Sequence, residues 1–195
     1  MGARERSVVE RVLFADQQQT LPAQRVVVVD ESSTHREMYR LYARALRGER
    51  AYASQARNYG TNVSVLASLR LDGFTTGMAI EGSVNTAIFE TYVTQLLVPT
   101  LRPGDIVLLD NLSCHKTTAV REAIEAVGAT LLFLPAYSPD FSPIEFAFSK
   151  VKAWLRKVSA HTLDALIDAL AHALNRISAR DALAYFIAAG FTEIP

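Results

Sequence analysis

Two runs of four apolar residues, Val26–Val29 and Ile106–Leu109, are each followed at once by an aspartate, Asp30 and Asp110. Unbroken apolar runs of this length read as strands buried on both faces, which need helices on either side of their sheet. Each strand is expected to deliver its Asp at the carboxyl end. A third acid, Glu145, follows Ser142-Pro143-Ile144. There Ser142 reads as a helix N-cap, Pro143 as the first helical residue and Glu145 as the partner closing a capping box. Asp110 and Glu145 are separated by 34 residues, room for one helix, one strand and a loop. With the two strands adjacent and parallel, Asp30 and Asp110 come within reach of one metal ion, and the helix bearing Glu145 packs across that end. Three carboxylates so gathered suit hard divalent cations, which serve the cutting and joining of phosphodiesters.

The rest of the pattern supplies the layers. A short helix is expected around Val8 to Ala15, then a connector at Gln17-Gln18-Gln19. Strands fit Val26 to Asp30, Asn62 to Leu71 and Phe74 to Ile80, the last two joined by the hairpin turn Asp72-Gly73. A helix fits Thr86 to Val98, stopped by Pro99. Strand Ile106 to Asp110, helix Thr117 to Val127 capped by Gly128, and strand Thr130 to Leu134 come next. In the helix opened by Ser142, Ile144, Phe148, Val151, Leu155 and Val158 form one stripe, and Glu145, Ser149, Lys152 and Arg156 another. Two more helices fit Thr162 to Ile177 and Arg180 to Ala189. The sum is an α/β fold: a ribonuclease-H-like mixed five-stranded sheet flanked by helices, with extra C-terminal helices. Residues 26–195 form the domain and 1–25 an N-terminal connector or remnant.

Composition narrows the class. At 195 residues, half of them hydrophobic, the chain is one domain with a proper core. Twenty basic residues balance twenty acidic ones, so any nucleic-acid contact rests on local patches. The single cysteine, Cys114, excludes an intrachain disulfide framework and a cysteine zinc cluster. No apolar run approaches the about 18 residues that span a bilayer, and Met1–Arg6 lacks the apolar stretch of a signal peptide. A cytoplasmic protein without membrane partners is expected.

Asp30-Glu31-Ser32, Asp110-Asn111-Leu112-Ser113-Cys114-His115-Lys116 and Tyr137-Ser138-Pro139-Asp140-Phe141-Ser142-Pro143-Ile144-Glu145 resemble the catalytic blocks of DDE transposases. The 34-residue gap is similar to that of the mariner-like superfamily, in its bacterial insertion-sequence branch (insertion sequence six-thirty type). Gly48-Glu49-Arg50 and Leu97–Asp105 are also similar to that branch. The resemblance runs from about Val26 to Phe191. It implies a metal-binding catalytic triad of Asp30, Asp110 and Glu145, with Mg2+ or Mn2+ as cofactor, two ions in all. The implied activity is metal-dependent DNA strand cleavage and strand transfer at insertion-sequence ends. It implies as partners transposon ends and target DNA, and a dimer in the active complex. Where the family often has Asn, this chain has Ser142, also a good cap. Such transposases carry an N-terminal helix-turn-helix region, but only 25 residues precede the first strand here. A separately encoded helix-turn-helix partner is one expectation, and a catalytically idle DNA-binding or regulatory remnant is another. A different ribonuclease-H-like nuclease is the remaining alternative.

Each residue has a plainer reading. Four apolar residues before Asp30-Glu31 also match a Walker B strand, but Gly77–Gly82 is followed by Ser83 rather than Lys, so no P-loop accompanies it. Asp110 suits a turn, Glu145 a capping box alone. Glu31 and Asp140 are neighbouring acids that rank below the triad. His115, which the family pattern shares, is a second-tier catalytic residue able to approach a scissile phosphate, or a packed histidine. For DNA phosphates, the candidates are Arg50 in the arginine-rich segment Arg36–Arg57, Lys116, and Lys150, Lys152, Arg156 and Lys157 on the Glu145 helix. Solvated surface charge is their alternative. Trp154, Phe146 and Phe148 read as core, and Cys114 is assigned no chemistry.

Overall fold

A computed structural model of the chain describes residues 7–36, 38–39, 42–52 and 60–194. Arg40 and Arg57 of the arginine-rich segment lie outside the described residues. Five strands make one mixed sheet: β1 (Val26–Thr34), β2 (Val63–Arg70), β3 (Gly73–Glu81), β4 (Ile106–Leu109) and β5 (Thr130–Phe133). Their spatial order is β3-β2-β1-β4-β5. The β1–β2–β3 ladder is antiparallel, while β1–β4 and β4–β5 are parallel. Gly73, at φ +123°, takes the left-handed conformation demanded by the tight β2–β3 hairpin.

The alternation of side chains across β1 builds two cores. Val26 and Val28 point to the face covered by α4 (Pro143–Val158), α5 (Leu163–Asn175) and α6 (Ala179–Ala188). Val27 and Val29 point to the opposite face, covered by α2 (Thr86–Tyr92) and α3 (Thr118–Glu125). All four valines are almost completely buried, as a strand central to a two-sided sheet requires.

Several boundaries depart from the sequence reading. β1 runs to Thr34 rather than stopping at Asp30, because Glu31–Thr34 pair with Val63–Leu66 of β2. Tertiary pairing overrides the polar composition there. Parallel pairing with β4 ends at Val28, so Asp30 lies just past the last parallel pair. The helix expected to reach Val98 is α2 only to Tyr92. It widens into a π-helical turn over Val93–Leu97 and closes in a 3-10 turn, Val98–Thr100, which takes up Pro99. The glutamines read as a connector belong to α1 (Val8–Gln19). Gln18 is buried, and its amide donates to the Phe141 carbonyl at 2.9 Å. Phe14 of α1 packs on Phe141, ring centroids 5.3 Å apart, so the described part of residues 1–25 is docked on the loop before α4.

The start of β4 is fixed by a buried ion pair. Arg70, at the end of β2, donates to Asp105 at 2.6 Å, and Asp105 also accepts from the Arg102 amide at 2.7 Å. Both side chains are at most 10% exposed. Removing one partner leaves a buried charge unpaired, so Asp105→Ala is expected to cost about 3–5 kcal/mol in denaturant titrations. A loss below 1 kcal/mol would show the pair to be surface-like.

Candidate active site

The period-two geometry of β1 sends Asp30 and Glu31 to opposite faces. Asp30 follows Val26 and Val28 toward α4. There it lines a cavity of about 290 Å³ together with Asp110 and Glu145. The remaining wall comes from Asn111 and Leu112 after β4 and from the loop Leu134–Pro139 after β5, with Ser142. A central strand, the residue after β4 and the first turn of α4 thus supply one acid each, the convergence expected from the spacing.

Asp30 accepts from the Glu31 amide through Oδ1 at 2.7 Å. Its pKa is pushed up from 3.8 to about 8, first by burial and then by the negative charges of Glu145, Asp110 and Glu31. A carboxylate so placed is poorly solvated and crowded by like charge, and a divalent cation relieves both. Among the described residues no three His, Cys, Asp or Glu side chains form a preassembled metal cage. The three acids instead line an open cavity, which suits ions that complete their coordination with water and substrate oxygens. The donor set fits magnesium or manganese: all oxygen, all carboxylate.

The same crowding sets a pH dependence. Because Asp30 titrates higher in the folded chain than its ordinary 3.8, the folded state holds more protons than the unfolded state between about pH 4 and 8. Without metal, stability contributed by this group therefore falls as pH rises through that window. Glu31, also raised, chiefly by burial, adds a slope of the same sign. Melting curves in chelator at pH 5 and pH 9 are expected to show the loss. Asp30→Asn flattens it, and saturating Mg2+ raises the melting temperature of the parent more than that of the variant. An equal response of both proteins would contradict this.

Asp110 is held on one oxygen. Oδ1 accepts from the Leu112 amide at 3.1 Å and is bonded to His115 Nδ1. His115 is fully buried, with its ring packed 4.0 Å from that of Phe89, centroid to centroid. Its ring contacts are with the Asp110 carboxylate and the Phe89 side chain. Cys114 has its thiol pKa raised by burial and by Glu31 and Asp110, which disfavours a reactive thiolate.

Glu145 differs from expectation in a way that matters. Ser142 occupies the N-cap position of α4, yet its side chain makes no capping hydrogen bond, so no capping box forms. Ile144, Phe148, Val151 and Leu155 are buried on the stripe the sequence outlined, whereas Val158 is exposed. Burial of four such side chains, each about 1.5–3 kcal/mol, outweighs a missing cap of about 1 kcal/mol. Pro143 pre-sets the first turn. The Glu145 carboxylate is thus free of a capping duty and exposed at the cavity. A true capping box occurs elsewhere, between Ser178 and Asp181 of α6.

The other candidates are dispersed. Asp140 pairs with Arg11 of α1 at 2.5 Å. Lys150, in a stretch of sequence free of acids, meets Asp181 across α6 at 2.6 Å, an ion pair the linear pattern could not disclose. Lys157 lies 5.6 Å from the Trp154 ring and Lys116 5.7 Å from that of Phe133. Phe148 is core as expected, but Phe146 is 39% exposed and stacks on Tyr185. Lys152 and Arg156 are half-buried on α4, and Arg50 is exposed. Among the described residues, no helix is long and apolar enough to cross a membrane.

Residues 25–167, from the start of the sheet into α5, match the family described as DDE superfamily endonuclease. The chain belongs to this family. Solved structures share the fold of this DDE superfamily endonuclease. It is similar to the Mos1 transposase paired-end complex with left transposon end, at TM-score 0.75 and 17% identity over 97% of this chain and 62% of that one. The Mos1 strand transfer complex gives TM-score 0.71 and 19% identity over 94% of this chain and 56% of that one. The Mos1 transposase catalytic domain with raltegravir and Mg gives 0.70 and 16%, covering 93% and 88%. The DDE superfamily endonuclease thus spans little more than half of the longer Mos1 chains but most of the catalytic domain. No curated protein sequence matches it.

Proposed function

We propose that this chain is the catalytic domain of a transposase, over residues 26–195, which cleaves DNA at the ends of an insertion sequence and transfers the cut strand. The observation that carries this is the convergence of Asp30, Asp110 and Glu145 on one cavity. Family membership and the Mos1-like fold support it. Mos1 paired-end complexes exist with Mn and with Mg, which supports the same cofactors here. Two divalent ions held by the three carboxylates would activate the attacking water or 3′-hydroxyl and stabilise the leaving oxygen. The chain's own share is positioning and charge. Asp30 supplies a poorly solvated carboxylate from the rigid sheet centre, Asp110 one with a single oxygen tied back, and Glu145 an exposed one at the mouth. No covalent protein–DNA intermediate is needed.

The 34-residue spacing and the long third block favour the insertion sequence six-thirty branch. End recognition would come from a helix-turn-helix region, with residues 1–25 as its connector and a dimer as the active form. A bacterial element of this kind would be served in the cytoplasm. The test is nicking of supercoiled plasmid: conversion to open circle is expected in Mg2+ or Mn2+ and none in chelator. Metal-independent nicking, or none with either metal, would defeat the proposal. An idle remnant leaves the plasmid uncut, and a hybrid-directed nuclease is set apart by cleaving an RNA–DNA duplex in preference to a DNA duplex.

Phosphate contacts are assigned to Arg50, Lys116, Lys150, Lys152, Arg156 and Lys157. At about 0.9 per neutralised phosphate, these six give a slope of log K against log salt of about −5 on duplex DNA. Engagement of Lys150 by Asp181 makes that an upper bound. Affinity should be nearly equal for end-sequence and scrambled duplexes. A slope near zero, or strong preference for one sequence, would contradict the assignment.

A further inference from the structure

Behind Asp110 lies a chain of groups that the metal site itself does not use. His115 Nδ1 is hydrogen-bonded to Asp110 Oδ1, the ring nitrogen donating when the carboxylate is ionised. The other edge of the ring, Nε2, is buried and has no hydrogen-bond partner among the described residues. It faces Glu31 Oε2 at 4.0 Å, a buried oxygen that is equally unpartnered among the described residues. Glu31 reaches this place because β1 alternates: Asp30 turns to the cavity, and its neighbour turns to the α2 face beneath it. Phe89 of α2 covers one face of the imidazole. Buried polar atoms rarely lack partners, and these two face each other. The two are each other's partner once the side chains close by about 1 Å, an ordinary hydrogen-bond distance being about 3 Å.

We propose that Glu31 and His115 are positioning residues, a brace that fixes Oδ1 of Asp110 from behind and leaves Oδ2 for the metal. Tying a ligand carboxylate through one oxygen sets its rotamer, so that less order is lost when an ion binds. Such supporting partners are typically worth about 10–100-fold in metal affinity. The proposal rests on the reading of Asp110 as a metal ligand. Glu31 acts through His115, and His115 through Asp110.

The experiment is Mn2+ titration of the full chain followed by electron paramagnetic resonance, with melting curves as a folding control. Asp110→Ala is expected to lose most of the affinity; parental binding by that variant would overturn the metal-site reading itself. His115→Gln moves the amide away from Asp110 and is expected to weaken Mn2+ binding by about 10–100-fold. His115→Asn, whose amide nitrogen stands close to the place of Nδ1, should recover part of that loss. Glu31→Leu is expected to weaken binding several-fold in the parent and to have no further effect in the His115→Asn background. Glu31→Gln, which keeps a hydrogen-bonding head, should lie nearer the parent than Glu31→Leu. If Asp110→Ala loses binding while His115→Gln and Glu31→Leu bind as the parent does, the brace is refuted and the metal site stands. Should His115→Gln fail to fold, the Glu31→Leu and Glu31→Gln pair decides alone: equal affinities for both and the parent overturn the proposal.

Discussion

Asp110→Ala is expected to abolish metal-dependent nicking while leaving the fold in place. The residue sits just past β4, with its side chain about one-third exposed, so its removal opens no core cavity. What it takes away is one of three carboxylates lining the cavity. A metal's electrostatic stabilisation of a phosphodiester transition state is worth several kcal/mol, and each 1.4 kcal/mol is tenfold in rate. Losing an ion's ligand should therefore cost about a thousandfold or more in initial rate, while stability in chelator falls by only about 1–3 kcal/mol because the buried His115 Nδ1 loses its acceptor. Relief of crowding on Asp30 offsets part of that loss, since Asp110 is one of the charges that push Asp30 upward. Cleavage within tenfold of the parent would remove Asp110 from the reaction.

Glu145→Gln should produce a comparable loss of rate for a different reason. The substitution keeps size and hydrogen-bonding capacity and deletes only the charge. Sequence alone left Glu145 with two employments, as a capping partner for Ser142 and as a metal ligand. The absence of a side-chain capping bond at Ser142 removes the first. The melting temperature of Glu145→Gln is accordingly expected within about 1 kcal/mol of parental stability, the size of one cap, while nicking falls by orders of magnitude. Parental nicking by Glu145→Gln would remove the Glu145 charge from the reaction.

The route from sequence to site was short where physics is local. Apolar runs ending in acid identified β1 and β4, and the 34-residue gap placed one helix and one strand between Asp110 and Glu145. The structure has α3 and β5 there. The errors came where partners are distant. Nothing in Glu31-Ser32-Ser33-Thr34 announces a strand, because its pairing with Val63–Leu66 is made some thirty residues away. Gln17–Gln19 look like a linker until Phe141 offers Gln18 a carbonyl. Lys150 looks unopposed until α6 brings Asp181 across. Glu31 was legible only in part: strand alternation turns it away from Asp30, but the histidine it meets comes from the loop after β4. That meeting needs β1 and β4 side by side, which is a fact of the sheet and not of either segment.

The central claim, that Asp30, Asp110 and Glu145 together hold the ions of the reaction, is tested most directly by a crystal structure of the chain soaked in Mn2+. Anomalous difference density is expected in the cavity between the three residues, with carboxylate oxygens about 2.1 Å from the peak, the distance of a small octahedral dication to oxygen. Density should disappear in Asp110→Ala. A fully occupied cavity of water with Mn2+ bound only elsewhere on the surface would contradict the account.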